Sequence, residues 1–330
     1  MQKLRKYIVK NEFQAYLPQR SDFEIVREVI LPIRNGEFLV KTEYVSVDPY
    51  MRSFATDLSV PYDQFGFQVG KVIDSKNPDY PKDSYVVSHS GWRDYVVLDG
   101  QPDEIFNIVP YKPQIESLPI SLAIGALGMP GITAYLGLLE ICAPRTGEVV
   151  CITSAAGAVG SLVGQIAKLK GCVVIGFTGS DEKVDVLKRD LGFHYAFNYK
   201  TETDVKETLR SVVKGIDCYF DNVGGDLASA IMECMNEQGR VAVCGAISTY
   251  GERTSRHKKL KMPVSVKIEA FSFTQWEWPK QCEALNNLKE WVKKGTIKAK
   301  ETIANGFEEL PDTFVAMLKG ESIGKALVKI

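Results

Sequence analysis

The sequence predicts an α/β protein of two domains, a β-rich one and a doubly wound parallel-sheet one, and three observations carry that prediction. Its 330 residues exceed what one hydrophobic core usually organises. Before about residue 120, short β-rich runs are punctuated by Gly, Pro, Asn and Asp. Beyond it, strand-like and helix-like stretches alternate, the pattern of βαβ units around a parallel sheet.

In chain order, residues 38–47, 68–73, 84–88 and 94–98 read as strands of a twisted, mainly antiparallel domain. The alternating half then reads as strand 149–153, helix 160–170, strand 173–177 and helix 182–191. Strand 216–221, helix 229–236 and strand 240–244 follow. The tail carries a helical run, 311–319, stopped by Gly320, and a strand, 326–330, which we assign back to the first domain. The expected domains are therefore 1–122 with 300–330, and 123–299.

Composition excludes several classes. Lys plus Arg number 40 against 41 Asp plus Glu, a net charge of -1 that gives no field to gather nucleic acid or anionic lipid. No run of about 18 apolar residues predicts a membrane span, and the basic opening decapeptide has no apolar run behind it, so a cytosolic protein with a small-molecule partner is expected. The seven cysteines, with no Cys-x-x-Cys pair, read as free, mostly buried thilos of a reducing compartment.

The strand at 149–153 runs directly into Ser154-Ala155-Ala156-Gly157-Ala158-Val159-Gly160, an A-x-G-x-x-G form of the dinucleotide fingerprint. Gly157 lets backbone approach a pyrophosphate, Gly160 lets helix pack on strand, and the free N–H groups of the helix start favour an anion. A plain βα turn is the alternative reading. The helix has credible 3.6-residue spacing through Val159, Leu162, Val163 and Ile166. The next strand ends in Thr178-Gly179-Ser180 with no carboxylate at its tip, while Lys183 follows as a point charge for a 2′-phosphate, so NADPH is expected over NADH.

Neither common dehydrogenase chemistry is legible. The three histidines, His89, His194 and His257, lie at no ligand spacing for catalytic zinc, and no tyrosine has lysine four residues on. An enzyme lacking both still works on a substrate that is already polarised, and an enone fits that description.

Three segments in order, Val45-Ser46-Val47-Asp48-Pro49-Tyr50-Met51-Arg52, Gly128-Met129-Pro130-Gly131-Ile132-Thr133-Ala134-Tyr135 and Asp221-Asn222-Val223-Gly224-Gly225, give the chain a resemblance to the prostaglandin reductases, in the leukotriene B4 dehydrogenase group of zinc-free medium-chain reductases. The likeness spans 41–330 and is strongest over 128–250. It implies a GroES-like β domain plus a Rossmann domain, a homodimer, and NADPH-dependent reduction of the carbon–carbon double bond of α,β-unsaturated ketones and aldehydes. It places the phosphates on Gly157, Ala158, Val159 and Gly160, the 2′-phosphate near Lys183 and Tyr199, and Asn222 on the ribose or nicotinamide side. The loop Cys244-Gly245-Ala246-Ile247-Ser248-Thr249-Tyr250 matches the family's nicotinamide-side loop, and Phe271-Ser272-Phe273 a later strand closing over the ring; both segments are apolar enough to be core instead.

The departures bear on substrate. Gly320-Glu321-Ser322-Ile323-Gly324-Lys325 has Ser322 where the family often has asparagine, so Ser322 keeps part of a cofactor contact. The segment 251–268 lacks the family's substrate-contacting tyrosine and carries Arg253, Arg256, Lys258, Lys259 and Lys261, readable as a carboxylate-attracting loop or as solvated charge. For catalysis the candidate is Tyr50, donating to the carbonyl oxygen as negative charge develops there, against the alternative that it packs beside Pro49. A zinc-free quinone reductase and a non-catalytic NADPH-binding protein are the rival readings.

Overall fold

The computed structural model describes residues 3–250 and 265–330. It divides into two compact units, Met1–Ile124 with Thr302–Ser322 and Ala326–Ile330, and Gly125–Glu301 with Ile323–Lys325.

The first unit is built on β1 (Lys3–Val9), β2 (Phe23–Val29), β3 (Phe38–Ser46), β4 (Tyr62–Asp63), β5 (Gln68–Ser75), β6 (Tyr85–Ser88) and β7 (Tyr95–Leu98), with a short helix, α1 (Tyr50–Phe54), after β3. A three-stranded antiparallel sheet runs β2-β1-β4. In the second sheet β3 pairs antiparallel with both β5 and β7, so its nine residues are buried on most positions. Phe38, Val40, Val72, Val86 and Val96 form the core beneath it.

The second unit is the alternating half. Its strands are β8 (Val149–Ile152), β9 (Val173–Thr178), β10 (Tyr195–Asn198), β11 (Ile216–Asp221), β12 (Met235–Val243) and β13 (Lys267–Ala270). They form one sheet of order β10-β9-β8-β11-β12-β13, parallel at each pairing. This is the 3-2-1-4-5-6 order of the doubly wound fold, with the turn after β8 at the point where the order reverses. Because helices cover both faces, β9 and β11 are apolar nearly throughout, which is why they read as continuous runs. The helices are α2 (Met129–Leu136), α3 (Gly160–Leu169), α4 (Asp181–Asp185), α5 (Val205–Val212), α6 (Gly225–Met232) and α7 (Trp278–Lys293). In α3, Leu162, Val163, Ile166 and Ala167 are buried.

The chain then returns to the first unit through β14 (Glu301–Asn305), α8 (Leu310–Leu318) and β15 (Lys325–Lys329), and β15 pairs antiparallel with β3.

Five expectations are corrected. The helix expected over 182–191 is α4 followed by a π-helical turn, Val186–Asp190. The helix expected over 229–236 starts earlier, at Gly225, because Gly224 and Gly225 take φ of 69° and 65° and turn the chain at once. It also ends earlier, and β12 begins at Met235 rather than 240, since Met235 pairs with Ile216 across a register shift that Gln238, at φ 59°, helps to absorb. No strand covers 271–273: β13 ends at Ala270 and a 3₁₀ turn spans Phe273–Gln275, because the Phe271 ring packs inward, edge to face with Phe220 at 5.9 Å. Finally, Ile323–Lys325 belongs with the parallel-sheet unit, since Gly324 N–H donates to the Ala156 carbonyl at 2.8 Å and Lys325 N–H to that of Lys300 at 2.9 Å.

The return of the tail is anchored by Phe314, fully buried with its ring edge-on to Trp92 at 5.8 Å and Phe23 at 6.5 Å. Phe314→Ala removes that ring and leaves a cavity, so we expect a loss of about 3–5 kcal/mol. Urea unfolding followed by tryptophan fluorescence checks it; a loss under about 1 kcal/mol would mean that the tail is not what the core is built on.

Candidate active site

The carboxyl ends of the parallel strands carry the turns from which a dinucleotide site is made. After β8, Ser154 is forced to φ 49°, a left-handed conformation rare for a non-glycine residue, and its carbonyl accepts Gly157 N–H at 2.9 Å to close the turn. A Cβ on Gly160 would meet the Ser154 carbonyl oxygen at 2.5 Å and the Ala155 Cα at 2.9 Å, and one on Gly157 would meet Ser154 Oγ at 3.1 Å. Close backbone approach therefore requires glycine at 160, and a side chain at 157 would press on Ser154. The ten-residue α3 opens at Gly160, where its first N–H groups have no intrahelical acceptor and the helix dipole favours an anion. The backbone of Gly157 is also bridged to Gly324, two residues beyond Ser322. This cradle fits a pyrophosphate.

At the tip of β9, Ser180 caps α4 by accepting Lys183 N–H at 3.3 Å. Asp181 accepts from the Asn198 amide at 2.8 Å, which commits the nearest carboxylate to β10. The ring of Tyr199, 41% exposed, and the stem of Lys200 both lie on Gly179, where an added Cβ would find them at 3.4 Å. Lys183 is largely buried, at 8% exposure. Lys183 and Tyr199 thus border one turn, with Lys200 as a second cation beside it that sequence reasoning missed.

The tip of β11 is the most constrained part of the site. Asp221, buried, accepts at one oxygen from Tyr219 O–H at 2.8 Å, Thr153 O–H at 3.1 Å, Val223 N–H at 3.0 Å and Gly224 N–H at 2.9 Å. Burial, with the Asp221 charge adding, pushes the Tyr219 phenol well above its ordinary range, so it stays a donor. Asn222 is held by Thr153 twice: its N–H donates to the threonine hydroxyl at 3.0 Å and its side-chain amide to the threonine carbonyl at 2.7 Å. That leaves the Asn222 Oδ1 as the atom able to accept from a ligand. Thr153 and Asp221 were not singled out from sequence; the available signal was a hydroxyl and an acid ending two apolar strands.

The loop after β12 is knitted to that tip. Cys244 and Gly245 N–H donate to the Asp221 carbonyl at 2.8 and 3.2 Å, and Ser248 reaches the Val223 carbonyl with its N–H at 3.0 Å and its hydroxyl at 2.6 Å. A short 3₁₀ turn spans Ile247–Thr249, and Thr249 donates to the Ala246 carbonyl at 3.0 Å. Tyr250 O–H accepts Ala246 N–H at 3.3 Å, and burial raises its phenol's pKa despite that bond. Burial, with Asp221 adding, pushes the Cys244 thiol up to about 12, so it stays neutral and is no nucleophile. Phe271 is core: a Cβ on Gly137 would strike its ring at 2.3 Å. Ser272 is exposed and caps the turn of Phe273–Gln275. The basic residues Arg253, Arg256, Lys258, Lys259 and Lys261 lie outside the described residues.

Tyr50 belongs to the other unit. Its hydroxyl is 3.1 Å from Nε2 of His89, whose Nδ1 is 3.3 Å from Oδ1 of Asp103. Asp103 also accepts backbone N–H from Ile105, Phe106 and Ile108 at 3.0, 2.9 and 2.8 Å. Phe65, Phe67 and Phe106 wall the histidine. Burial, with Asp48 and Asp103 adding, raises the Tyr50 phenol well above its usual range. Burial also opposes ionisation of Asp103, but His89 and the N–H groups of Phe106 and Ile108 outweigh it and hold the carboxyl below its ordinary value. Among the described residues no three or more His, Cys, Asp or Glu side chains gather as a metal site, and no helix is long and apolar enough to cross a membrane.

Comparison with known proteins matches residues 5–106 to the N-terminal domain of oxidoreductases and residues 158–287 to the family described as zinc-binding dehydrogenase. Prostaglandin reductase 1 of Oryctolagus cuniculus is 44% identical across 99% of this chain and 93% of its own length. The NADP(+)-dependent 2-alkenal reductase of Nicotiana tabacum is 38% identical over 99% and 98%, and (+)-pulegone reductase of Mentha piperita 39% over the same shares. Among solved structures, CurA from Vibrio vulnificus in complex with NADPH superposes with a TM-score of 0.88 at 31% identity, covering 98% of both chains.

Two outcomes follow from the geometry. Gly160→Val puts a branched side chain where even a Cβ lies 2.5 Å from the Ser154 carbonyl, so dinucleotide affinity is expected to fall at least about tenfold in a fluorescence titration. Asp103, with a lowered folded pKa, contributes stability that is full above the ordinary aspartate range and lost as pH falls through the lowered value. Asp103→Asn should therefore lose less of its melting temperature than the parent between roughly pH 5 and pH 2; equal losses would show that the carboxylate is not held by these bonds.

Proposed function

Because the chain belongs to the prostaglandin reductase group of medium-chain oxidoreductases, we propose that it uses NADPH to reduce the carbon–carbon double bond of α,β-unsaturated ketones and aldehydes, 2-alkenals and 15-oxoprostaglandin-like enones among them. The observation that carries this reading is the turn Ser154 to Gly160, a built anion cradle at the reversal point of the parallel sheet, with Lys183 and Tyr199 at the turn that ends the next strand. NADPH, when bound, supplies the hydride that adds to the β-carbon of the substrate.

The chain's own residues do the rest. Ala158, Val159 and Gly160 receive the pyrophosphate on backbone N–H groups, Gly157 lets the backbone come close to it, and Lys183 with Tyr199 meets the 2′-phosphate. Asn222, fixed by Thr153, orients the ribose or nicotinamide side, and the loop 244–250 lines that side at a depth set by its bonds to Asp221 and Val223. Ser322 takes part of the contact that asparagine makes in relatives. Tyr50, kept protonated by burial, donates to the carbonyl oxygen as negative charge gathers there, and solvent protonates the α-carbon. A homodimer in the cytosol completes the proposal; the seven free cysteines suit a reducing compartment, and light scattering of the purified protein reads the assembly.

The deciding measurement is the oxidation of NADPH and NADH with a panel of 2-alkenals, 15-oxoprostaglandins and quinones. We expect NADPH and enones to be preferred, Lys183→Ala to erode the NADPH preference about tenfold, and Tyr50→Phe to lower kcat about 10²-fold. Faster turnover of quinones than of every enone would replace this reading with a quinone reductase, and cofactor binding without turnover would leave a binding protein.

A further inference from the structure

From the chain Tyr50–His89–Asp103 we infer that His89, held by Asp103, is a positioning residue that supplies the proton Tyr50 hands to the substrate. The inference rests on the assignment of Tyr50 made above and deepens it.

The bond pattern decides what each atom can do. Asp103 is fixed by three backbone N–H groups, and with His89, Ser88, Ser90, Asp99 and Gln101 it lines a cavity of about 300 Å³. A carboxylate so placed accepts only, so the facing Nδ1 of His89 carries hydrogen. Nε2 is thereby left to deal with Tyr50 at 3.1 Å. While His89 is neutral, Nε2 accepts, and the phenol's only proton is spent on the histidine. When His89 is protonated, Nε2–H donates to the phenol oxygen, and the Tyr50 O–H is released to donate elsewhere.

This makes His89 the switch on Tyr50. The His89 side chain is 0% exposed, walled by Phe65, Phe67 and Phe106, and the residue borders the same cavity as Asp103. The ionisable groups around it are Tyr50, with Asp48 beyond it, on one side, and Asp103, Asp99, Glu37 and Arg34 on the cavity side. In the reaction step the Tyr50 O–H bond breaks as an O–H bond forms on the substrate's carbonyl oxygen; the Nε2–H proton passes to the phenol oxygen, and His89 is left neutral. After product leaves, water returns one proton to Nε2 through the Tyr50 hydroxyl. The enol so formed takes up a solvent proton at the α-carbon and releases its O–H proton to solvent. With the proton returned to His89, the net uptake is one solvent proton per turnover, and no protein group changes oxidation state.

The test joins kinetics to a spectroscopic readout on the cofactor-free protein. Enone reduction in single turnovers should fall about tenfold per pH unit above one ionisation in the parent enzyme. His89→Gln should be slower by about 10²-fold and lose that limb, and Asp103→Asn should move the limb to lower pH. A single cooperative melting transition and unchanged NADPH affinity establish that these variants are folded. The chain's three histidines make the imidazole nitrogens assignable by ¹⁵N NMR, with His89 identified by its loss in His89→Gln. Neutral His89 should carry its hydrogen on Nδ1, and Tyr50→Phe should shift its Nε2 resonance. A proton on Nε2 in the neutral form, or a His89→Gln enzyme with the parent's rate and pH limb, overturns the relay. Tyr50→Phe at full turnover overturns the assignment of Tyr50 itself, whereas a slowed Tyr50→Phe beside an unaffected His89→Gln overturns only the part given to histidine.

Discussion

The carboxylate of Asp221 is the constraint from which the candidate cofactor site hangs. A buried charge of this kind costs several kcal/mol unless donors surround it, and here two hydroxyls and two backbone N–H groups converge on a single oxygen. Val223 and Gly224 reach it only because Gly224 and Gly225 adopt left-handed φ, which folds the chain back over the strand tip. The main-chain carbonyl of the same residue accepts from Cys244 and Gly245, and Ser248 then bonds Val223. Three segments, at the ends of β8, β11 and β12, are thereby fixed to one atom group. Asn222 can present its oxygen to a ligand because nothing beneath it is free to move.

Asp103 solves the same electrostatic problem to a different end. Its backbone donors come from one turn, 105–108, and the remaining donor is an imidazole that leads on to Tyr50. Where Asp221 gathers four donors on one oxygen and acts as a structural knot, Asp103 spends part of its charge on a group whose other nitrogen faces Tyr50. Phe65, Phe67 and Phe106 pack around the ring, and the phenol is the partner of that second nitrogen. The difference between a fold-holding acid and a functional one thus lies in what its donors are bonded to, not in burial alone.

Much of this was legible in sequence and some could not be. The two-domain α/β class, the strand preceding Ser154 and the glycines at 157 and 160 follow from periodicity and backbone permissiveness, which are local properties. The start of α6 was misjudged because Gly224 and Gly225 weaken a helical pattern in sequence, yet in three dimensions they are what begins it. The start of β12 was misjudged because Asn236, Glu237 and Gln238 are polar residues in a register break, between Met235 and Arg240, which pair with β11. Asp221, Thr153, His89 and Asp103 escaped notice for a related reason. Each owes its role to partners tens of residues away, and no spacing rule brings Thr153 to Asp221 or His89 to Tyr50. The aromatic Phe271 shows the converse, since an apolar residue near a ligand loop is ambiguous until its neighbours, Gly137 and Phe220, are known.

The departure from the usual fingerprint is compensated in space. Where a glycine would ordinarily open the turn, this chain has Ala155, fully buried, so a methyl group must be housed under the sheet. Two features make room for it. Ser154 rather than the following residue takes the left-handed conformation, so the residue whose backbone must bend is one with a short side chain. And the neighbouring strand offers Gly176 at the point of contact: a Cβ there would lie 2.8 Å from that of Ala155 and 2.9 Å from the Phe193 ring. A methyl group has in effect been moved from β9 to the turn, leaving the packing intact and the N–H groups of Ala158 to Gly160 facing the phosphate position. The missing first glycine therefore weakens the motif as a pattern of letters without weakening the cradle, because the requirement was for space, and the space is supplied by another residue.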